Sequence, residues 1–172
     1  CFLYNPKSTM NIVECGILDG FSLETIYSNF SSLAHFSVDA YDIFDKFNGN
    51  HAKRDFLDVK FTKDKYPNLK IQDGDFYKVY KKYEDQSIDI LHVDIANNGD
   101  TYQFVFDRYM SKMKKNGIIL LEGGSEERDN IEWMKKYDKP KIKPIIEKYQ
   151  QQPIYSIKTF GKIPSLTLVQ KK

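Results

Sequence analysis

The chain has 172 residues, 41% of them hydrophobic and 15% aromatic, which is typical of one globular domain with a sizeable core. Its formal charge of +2, with three arginines among 26 basic residues, does not predict a nucleic-acid partner. The chain has only two cysteines, so we expect no disulfide framework. It shows no apolar run long enough to cross a membrane and no signal peptide, so we expect no membrane partner. These features predict a cytoplasmic protein.

We expect residues 1–172 to form a single domain, with a lead-in segment at 1–9 and the core at 10–170. Within it, residues 10–39 predict a strand, a glycine turn, a helix and a second strand. The first strand covers 11–15, and the second covers 36–38 and finishes on Asp39. The apolar positions of the helix are Phe21, Ile26, Phe30 and Leu33. This order is half of a nucleotide-binding βαβ unit.

The turn between the first strand and the helix has a specific chemistry. Gly16 and Gly20 leave the backbone bare, so that a ligand can approach it closely. N–H groups at the start of the helix favour a carboxylate or a phosphate, and Ser22 is a candidate cap or first-turn hydroxyl of that helix. Glu14 precedes the first glycine by two residues, and Asp39 is placed to take the two hydroxyls of a ribose. An ordinary strand–turn–helix with two glycines is the alternative interpretation.

Residues 14–22 fit the pattern E-x-G-x-x-x-G-x-S. This pattern resembles the first motif of class I S-adenosylmethionine-dependent methyltransferases, and it is most similar to the small-molecule and sugar O-methyltransferase branch. The resemblance implies that the loop cradles the methionine part of S-adenosylmethionine and that Asp39 holds its ribose. The dinucleotide pattern G-x-G-x-x-G is not matched.

The next segment predicts a helix at 51–65, a third strand at 69–72 and a short helix at 76–83. A Gly-Asp step, Gly74-Asp75, follows the third strand and precedes Phe76. In the family that the first motif resembles, such a step lies beside the adenine. The resemblance therefore implies that Asp75 accepts from the adenine amine, with Phe76 beside it.

A fourth strand is predicted at 88–94, where an apolar run ends in an acid. The pattern I-D-x-L-H-x-D resembles the corresponding step of small-molecule O-methyltransferases, which implies that Asp94 reaches the transfer site. His92 is interpreted as a core histidine, with catalysis as the alternative. Many relatives have a histidine or an acid just after this strand, whereas this chain has Asn97, Asn98 and Asp100. Asn97 or Asn98 is a candidate to orient the acceptor hydroxyl or to ligate a metal through its carbonyl oxygen.

A helix is predicted at 101–114, followed by a buried strand at 118–122 that ends in Glu122 and two glycines. The run MSKMKKNGIILLEGG is similar to the fifth-strand step of the same family. In metal-dependent relatives, acids after the fourth and fifth strands share one divalent cation with an amide. The resemblance therefore implies Asp94, Asn97 and Glu122 as catalytic residues, with Asp94 and Glu122 as candidate ligands of a cation such as Mg²⁺.

The last third of the chain predicts a helix at 125–137, a shorter one near residue 148, and two strands at 153–160 and 165–170 that form a hairpin. Together the elements predict an α/β fold: a Rossmann-like, doubly wound, mostly parallel seven-stranded sheet with a C-terminal antiparallel hairpin.

The predicted function is S-adenosylmethionine-dependent O-methylation of a sugar, a glycan or a small hydroxylated metabolite. Methylation of amino groups typically shows an Asn/Asp-Pro-Pro-aromatic step after the fourth strand, which residues 94–97 lack. One alternative is an inactive cofactor-binding or structural module with the same fold, and another is a nicotinamide-dependent oxidoreductase. A homodimer is a further expectation.

Overall fold

The structure is a computed structural model that describes residues 9–44 and 52–172. Seven strands form one sheet in the order β3-β2-β1-β4-β5-β7-β6. Their bounds are β1 Met10–Cys15, β2 Phe36–Asp42, β3 Leu69–Asp73, β4 Ile88–Val93, β5 Met113–Glu122, β6 Tyr155–Gly161 and β7 Ser165–Lys171. The first five strands in chain order pair in parallel, and β7 runs antiparallel between β5 and β6. The predicted sheet and its reversed hairpin are confirmed.

Seven α-helices lie between the strands in the described residues. Their bounds are α1 Phe21–Phe30, α2 Arg54–Lys60, α3 Phe76–Val79, α4 Gly99–Phe104, α5 Glu126–Asp129, α6 Glu132–Lys136 and α7 Lys143–Gln150. A 3₁₀ turn at Tyr80–Lys82 continues α3, and a π-helical turn at Val105–Tyr109 continues α4. The helix predicted from residue 51 begins at Arg54 in the structure, and residue 51 itself lies outside the described residues, as do lead-in residues 1–8. No described helix is long and apolar enough to cross a membrane.

Several predicted boundaries are wrong, among them the end of the helix predicted at 51–65, which stops at Lys60. Three others bear on the site. The helix predicted at 101–114 stops at Tyr109, because Met113 already pairs with Ile88 as part of β5. The helix predicted at 125–137 is broken, because Ile131 adopts an extended conformation between α5 and α6. The third is the end of β2, which continues three residues past Asp39.

The buried face of α1 also differs from the prediction. Leu23 and Tyr27 are its buried residues, whereas Phe21 is 75% exposed. Successive residues turn by about 100° around a helix axis, so Phe21 lies roughly 200° from Leu23 and faces away from the sheet. Ile26 and Phe30 are only half-buried.

The two faces of the sheet carry separate cores. On one face, β1 contributes Ile12 to a core that α1 and α2 cover through Leu23 and Leu57. On the other face, β1 contributes Val13 and Cys15 to a core that includes the helical residues after β4 and α7. This alternation is the period of two expected of a strand that is covered on both sides.

The order of the strands creates a topological switch point between β1 and β4. The chain leaves β1 toward the face covered by α1, whereas it leaves β4 toward the opposite face, where Tyr102 of α4 is buried. In open α/β sheets such divergence creates a crevice outside the carboxyl ends of the two strands, which is where ligands bind. The candidate site is therefore sought at this edge.

Candidate functional site

Gly16 directly follows β1 and contacts the end of β4, the other strand at the topological switch point. Its φ is +91°, and a Cβ at this position would collide with the main-chain carbonyl oxygen of Asp94. The Asp94 N–H in turn donates to the carbonyl of Cys15 at 2.9 Å. Glycine is needed here because the end of β4 lies directly against the loop after β1. This contact of the protein with itself accounts for the first glycine of the motif.

Gly20 begins α1 in a left-handed conformation, with φ +75°. A Cβ there would lie 2.5 Å from the ring of Phe61, so the second glycine lets α2 and the residue after it pack against the loop. Of the two roles predicted for Ser22, the capping position belongs to Gly20, and Ser22 lies in the first turn of α1. The Ser22 hydroxyl donates instead to Oε1 of Glu14, at 2.5 Å.

Glu14 is fully buried beneath this loop. Its Oε1 accepts from Ser22 and lies 3.0 Å from Nδ1 of His92, which is directly opposite on β4. Its Oε2 has no hydrogen-bond partner among the described residues. His92 is itself buried, as the core interpretation predicts. Glu14, Ser22 and His92 therefore form a buried polar cluster that joins β1, α1 and β4.

Asp39 does not lie at the end of β2. It pairs with Val13, three residues before Gly16, and its carboxylate accepts hydrogen bonds from Gln72 at 3.4 Å and from the hydroxyl of Tyr83 at 3.2 Å. The strand continues beyond it because Ala40 and Tyr41 are buried in the two cores.

The acid at the end of β2 is Asp42. Its Oδ2 accepts from the N–H groups of Ile17 at 2.7 Å and Leu18 at 3.3 Å, both in the loop that follows Gly16. The carbonyl of Asp42 accepts from Gly74 after β3. A half-buried carboxylate thus lies at the strand edge, next to the glycine loop, three residues later than the sequence predicts.

The Gly-Asp step after β3 has a structural role. Asp75 caps α3, since its Oδ1 accepts from the N–H of Tyr77 at 3.0 Å, and its Oδ2 lies 3.2 Å from Lys78. Phe76, expected beside the adenine, instead lies in the core, where its ring stacks on Tyr109 with centroids 5.1 Å apart. Asp75 keeps its predicted position at the carboxyl edge, but Phe76 is turned away from it.

Asp94 follows the last residue of β4 and is exposed at the crevice. Although the residue as a whole is exposed, neighbouring atoms displace part of the water around its carboxyl, and this desolvation raises the pKa of Asp94 above its ordinary value. The charge of Glu14 raises this pKa further, whereas His92 and Arg128 oppose the rise. Asp94 is thus a carboxylate with an increased tendency to hold a proton.

Asn97 joins the ends of β4 and β5 through hydrogen bonds. It is fully buried, and its amide donates to the carbonyls of Val93 at 2.9 Å and Glu122 at 3.0 Å. Its Oδ1 has no partner among the described residues. The amide nitrogen of Asn97 is thus committed to the protein's own backbone, which leaves Oδ1 as the atom for its predicted role of orienting an acceptor. Asn98 caps α4 by accepting from Asp100.

Glu122 ends β5 and is bound by an arginine that the sequence did not single out. Nε of Arg128 lies 2.6 Å from its Oε1, and Nη2 lies 2.9 Å from its Oε2. The only sequence signal is that Arg128 is one of three arginines and follows the strand by six residues. The pairing occupies both oxygens of the predicted metal ligand.

The residues at this edge do not fit a divalent cation. Within residues 9–44 and 52–172, no group of three or more His, Cys, Asp or Glu side chains could hold a metal ion. Glu122 is neutralised by Arg128, and Asn97 donates its amide to carbonyl groups. The predicted metal pair of Asp94 and Glu122 is therefore not supported.

The raised pKa of Asp94 predicts that an Asp94→Asn variant is more stable than the wild type at pH 7. A carboxyl whose pKa is raised on folding opposes folding when it is ionised, and this cost disappears below the pKa of the unfolded chain, about 4. Because the group is exposed, we expect a gain of less than about 1 kcal/mol in the free energy of unfolding. Urea denaturation at pH 7 and pH 4 measures it.

The matched control is Asp64→Asn, a change at an exposed residue in the turn after α2, which should leave stability unchanged. A loss of stability in Asp94→Asn at pH 7, or a gain that persists undiminished at pH 4, contradicts this account of Asp94.

The geometry above can be compared with known proteins. A family model described as a methyltransferase domain matches residues 13–122. No curated protein matches the chain by sequence. An O-methyltransferase from Bacillus cereus, solved in complex with SAH, superposes with a TM-score of 0.66 and 16% identity, covering 94% of this chain and 74% of that one.

Two further solved structures are similar to the same extent. An SAH-bound methyltransferase from Podospora anserina has a TM-score of 0.66 and 16% identity, over 94% of this chain and 71% of its own. The DszA carbon methyltransferase has a TM-score of 0.67 and 13% identity, over 98% of this chain and 48% of its own. At such identities these similarities show the fold.

Proposed function

Since the chain belongs to the family described as a methyltransferase domain, we propose that it is an S-adenosylmethionine-dependent O-methyltransferase that methylates a hydroxyl group of a small acceptor. The acceptor is a sugar, a glycan or a small hydroxylated metabolite. The family model covers more than half of the chain, from the middle of β1 to the last residue of β5.

The observation that carries this proposal is the crevice between β1 and β4. Gly16 and Asp94 touch at the point where the chain diverges to opposite faces of the sheet. Bare backbone lies on the β1 side and an exposed carboxyl on the β4 side. A cofactor on the β1 side and an acceptor near Asp94 would meet in this crevice.

The cofactor would lie along the ends of β1, β2 and β3. Asp42 is the best-placed acid for its ribose hydroxyls, because it lies at the strand end and already contacts the glycine loop. Asp39 is held beneath this edge by Gln72 and Tyr83. Asp75 remains at the end of β3, within the reach expected for an adenine amine. When bound, S-adenosylmethionine supplies a methyl group activated by a sulfonium.

Asp94 is the residue proposed to act on the acceptor. Alkylation of a hydroxyl needs an oxygen aligned with the methyl group and the removal of its proton. An exposed carboxyl with a raised pKa, adjacent to the loop that would hold the cofactor, can accept this proton. Asn97 and Glu122 contribute by fixing the main chain on either side of it.

An inactive cofactor-binding module is the weaker alternative. Its motivation in the sequence is the absence of a histidine after β4 and of a second acid after β5. Asp94 supports the active form, because it places an exposed carboxyl with a raised pKa at the crevice, where a base would be required.

The cofactor is tested by calorimetric titration with S-adenosylmethionine, S-adenosylhomocysteine and NAD. We expect dissociation constants on the order of micromolar for the first two and no binding of NAD. Absence of binding to both sulfur compounds contradicts the proposal. Release of S-adenosylhomocysteine in the presence of a panel of sugars and small phenols then tests the acceptor class.

A matched pair of variants tests the ribose contact. Asp42→Asn should weaken S-adenosylhomocysteine binding about tenfold, since a charged hydrogen bond contributes roughly 1.5–3 kcal/mol. Asp39→Asn should change the affinity less than about twofold. The asparagine at position 42 keeps an oxygen for the N–H groups of Ile17 and Leu18 but removes the acceptor of the Ile43 N–H, so stability should fall by about 1 kcal/mol. Both variants are therefore titrated at a temperature at which they are folded. Equal losses for both variants, or a larger loss for Asp39→Asn, would restore Asp39 to the role that the sequence predicts.

A further inference from the structure

Arg128 occupies an unusual position for a long cationic side chain. It follows β5 closely in the sequence, and only 10% of its side chain is exposed. Two of its nitrogen atoms form a bidentate pair with Glu122, the geometry in which guanidinium groups bind carboxylates most strongly. The guanidinium is thereby fixed at the carboxyl end of β5.

The same guanidinium also contacts the segment after β4. Nη2 lies 3.4 Å from the carbonyl oxygen of Asn97, whose amide bonds the carbonyls of Val93 and Glu122. One positive charge therefore lies at the ends of two neighbouring strands, close enough to Asp94 to oppose the rise of its pKa. This is the edge where the acceptor oxygen must lie if Asp94 takes its proton.

Two polar atoms next to the Arg128–Glu122 pair form no hydrogen bond within the described residues. Nη1 of Arg128 and Oδ1 of Asn97 are both buried and have no hydrogen-bond partner in the described part of the chain. Glu122 neutralises the guanidinium from one side only. If the guanidinium served only to neutralise Glu122, it would not also need to contact the carbonyl of Asn97 after β4.

We propose that Arg128 is the built-in cation of the acceptor site and holds the position that a divalent cation would otherwise need. This inference rests on the proposed function. As the acceptor O–H bond breaks, its proton passes to Asp94, and the oxygen forms its bond to the methyl carbon while the carbon–sulfur bond breaks with its electron pair left on sulfur. The guanidinium excludes Mg²⁺ from this edge because it occupies both oxygens of Glu122.

Binding of Mn²⁺, followed by electron paramagnetic resonance of the free ion, tests the exclusion. The wild type should bind no Mn²⁺ at this edge. Arg128→Gln should bind it with a dissociation constant on the order of 1 mM or below, because Glu122 is released beside Asp94. Arg128→Lys, which keeps the charge, should not bind it, and adding Asp94→Asn to Arg128→Gln should abolish the acquired binding.

Two results would overturn the inference. One is Mn²⁺ binding to the wild type that Asp94→Asn removes. The other is a folded Arg128→Gln variant that binds no Mn²⁺, since the pair would then be an ordinary ion pair. S-adenosylhomocysteine titration of the same samples separates the two proposals, because the cofactor should bind whichever result is obtained with Mn²⁺.

A measurement on the wild type covers the case in which Arg128→Gln does not fold. The chain has three arginines, so its ¹⁵N spectrum should show three Nε–H signals that can be assigned by single substitutions. With S-adenosylhomocysteine bound, the Arg128 signal should not move on addition of 10-fold excess Mg²⁺, roughly the regime in which a weak carboxylate site fills. A titratable shift of this signal alone means that Mg²⁺ displaces the guanidinium from Glu122, which contradicts the inference.

Discussion

A Gly16→Ala variant is expected to lose about 3 kcal/mol of its free energy of unfolding, together with its affinity for S-adenosylhomocysteine. The new Cβ would collide with the main-chain oxygen of Asp94, and alanine is strained at a φ of +91°. Because both strands at the switch end here, relief of the collision must move the loop after β1 or the end of β4. Urea denaturation measures the stability, and calorimetry measures the affinity.

Gly161→Ala is the matched control for this variant. Gly161 also has a positive φ, +74°, and its Cβ would approach the carbonyl oxygen of Pro164 to 2.6 Å, but it lies at the end of β6. We expect a similar loss of stability with unchanged affinity for S-adenosylhomocysteine. If both variants lose affinity equally, the effect of Gly16→Ala is general destabilisation, and the cofactor does not approach this loop.

His92→Phe is the second change with a large expected effect, a loss of about 3 kcal/mol in the free energy of unfolding. Phenylalanine has a similar shape but leaves the carboxylate of Glu14 buried with a single partner, the hydroxyl of Ser22. Removing the hydrogen-bond partner of a buried carboxyl group is expensive because the group stays in a poorly polarisable environment without compensation. Chemical denaturation at pH 7 measures the loss.

A double-mutant cycle tests this explanation. Glu14→Gln combined with His92→Phe buries no charge, so the double variant should be more stable than His92→Phe alone. His35→Phe is the control, because His35 is exposed before β2 and its replacement should change stability by less than about 0.5 kcal/mol. Additive losses in the cycle would show that Glu14 and His92 are not coupled.

The order of strands and helices could be predicted because hydrophobic periodicity reports burial directly. The end of β2 could not, since Asp39 looks like a strand end until the burial of Ala40 and Tyr41 in the two cores is known. The start of β5 could not be predicted either, for a similar reason. Residues 113–117 are rich in Lys and Asn, and only their pairing beside Ile88 makes them a strand.

For the candidate site too, some residues could be predicted from the sequence and others could not. Glycines and acids at strand ends could be located, because parallel strands bring their carboxyl ends to one edge. The partner of Glu122 could not be predicted, since Arg128 reaches it only through the turn that α5 makes after β5. Phe76 was misplaced because a step after β3 does not reveal which face its aromatic residue takes, and the stacking on Tyr109 decides it.

The position of β7 between β5 and β6 has a consequence for synthesis on the ribosome. Strands β2 to β5 each pair in parallel with a neighbour that is already made, whereas in the described chain β6 pairs only with β7, which is made after it. A nascent chain that has emerged as far as β6 therefore presents an open β5 edge and an unpaired strand, both able to join another chain. Emergence of β7 closes the sheet in one step, so we expect pauses in translation between β6 and β7 to favour aggregation.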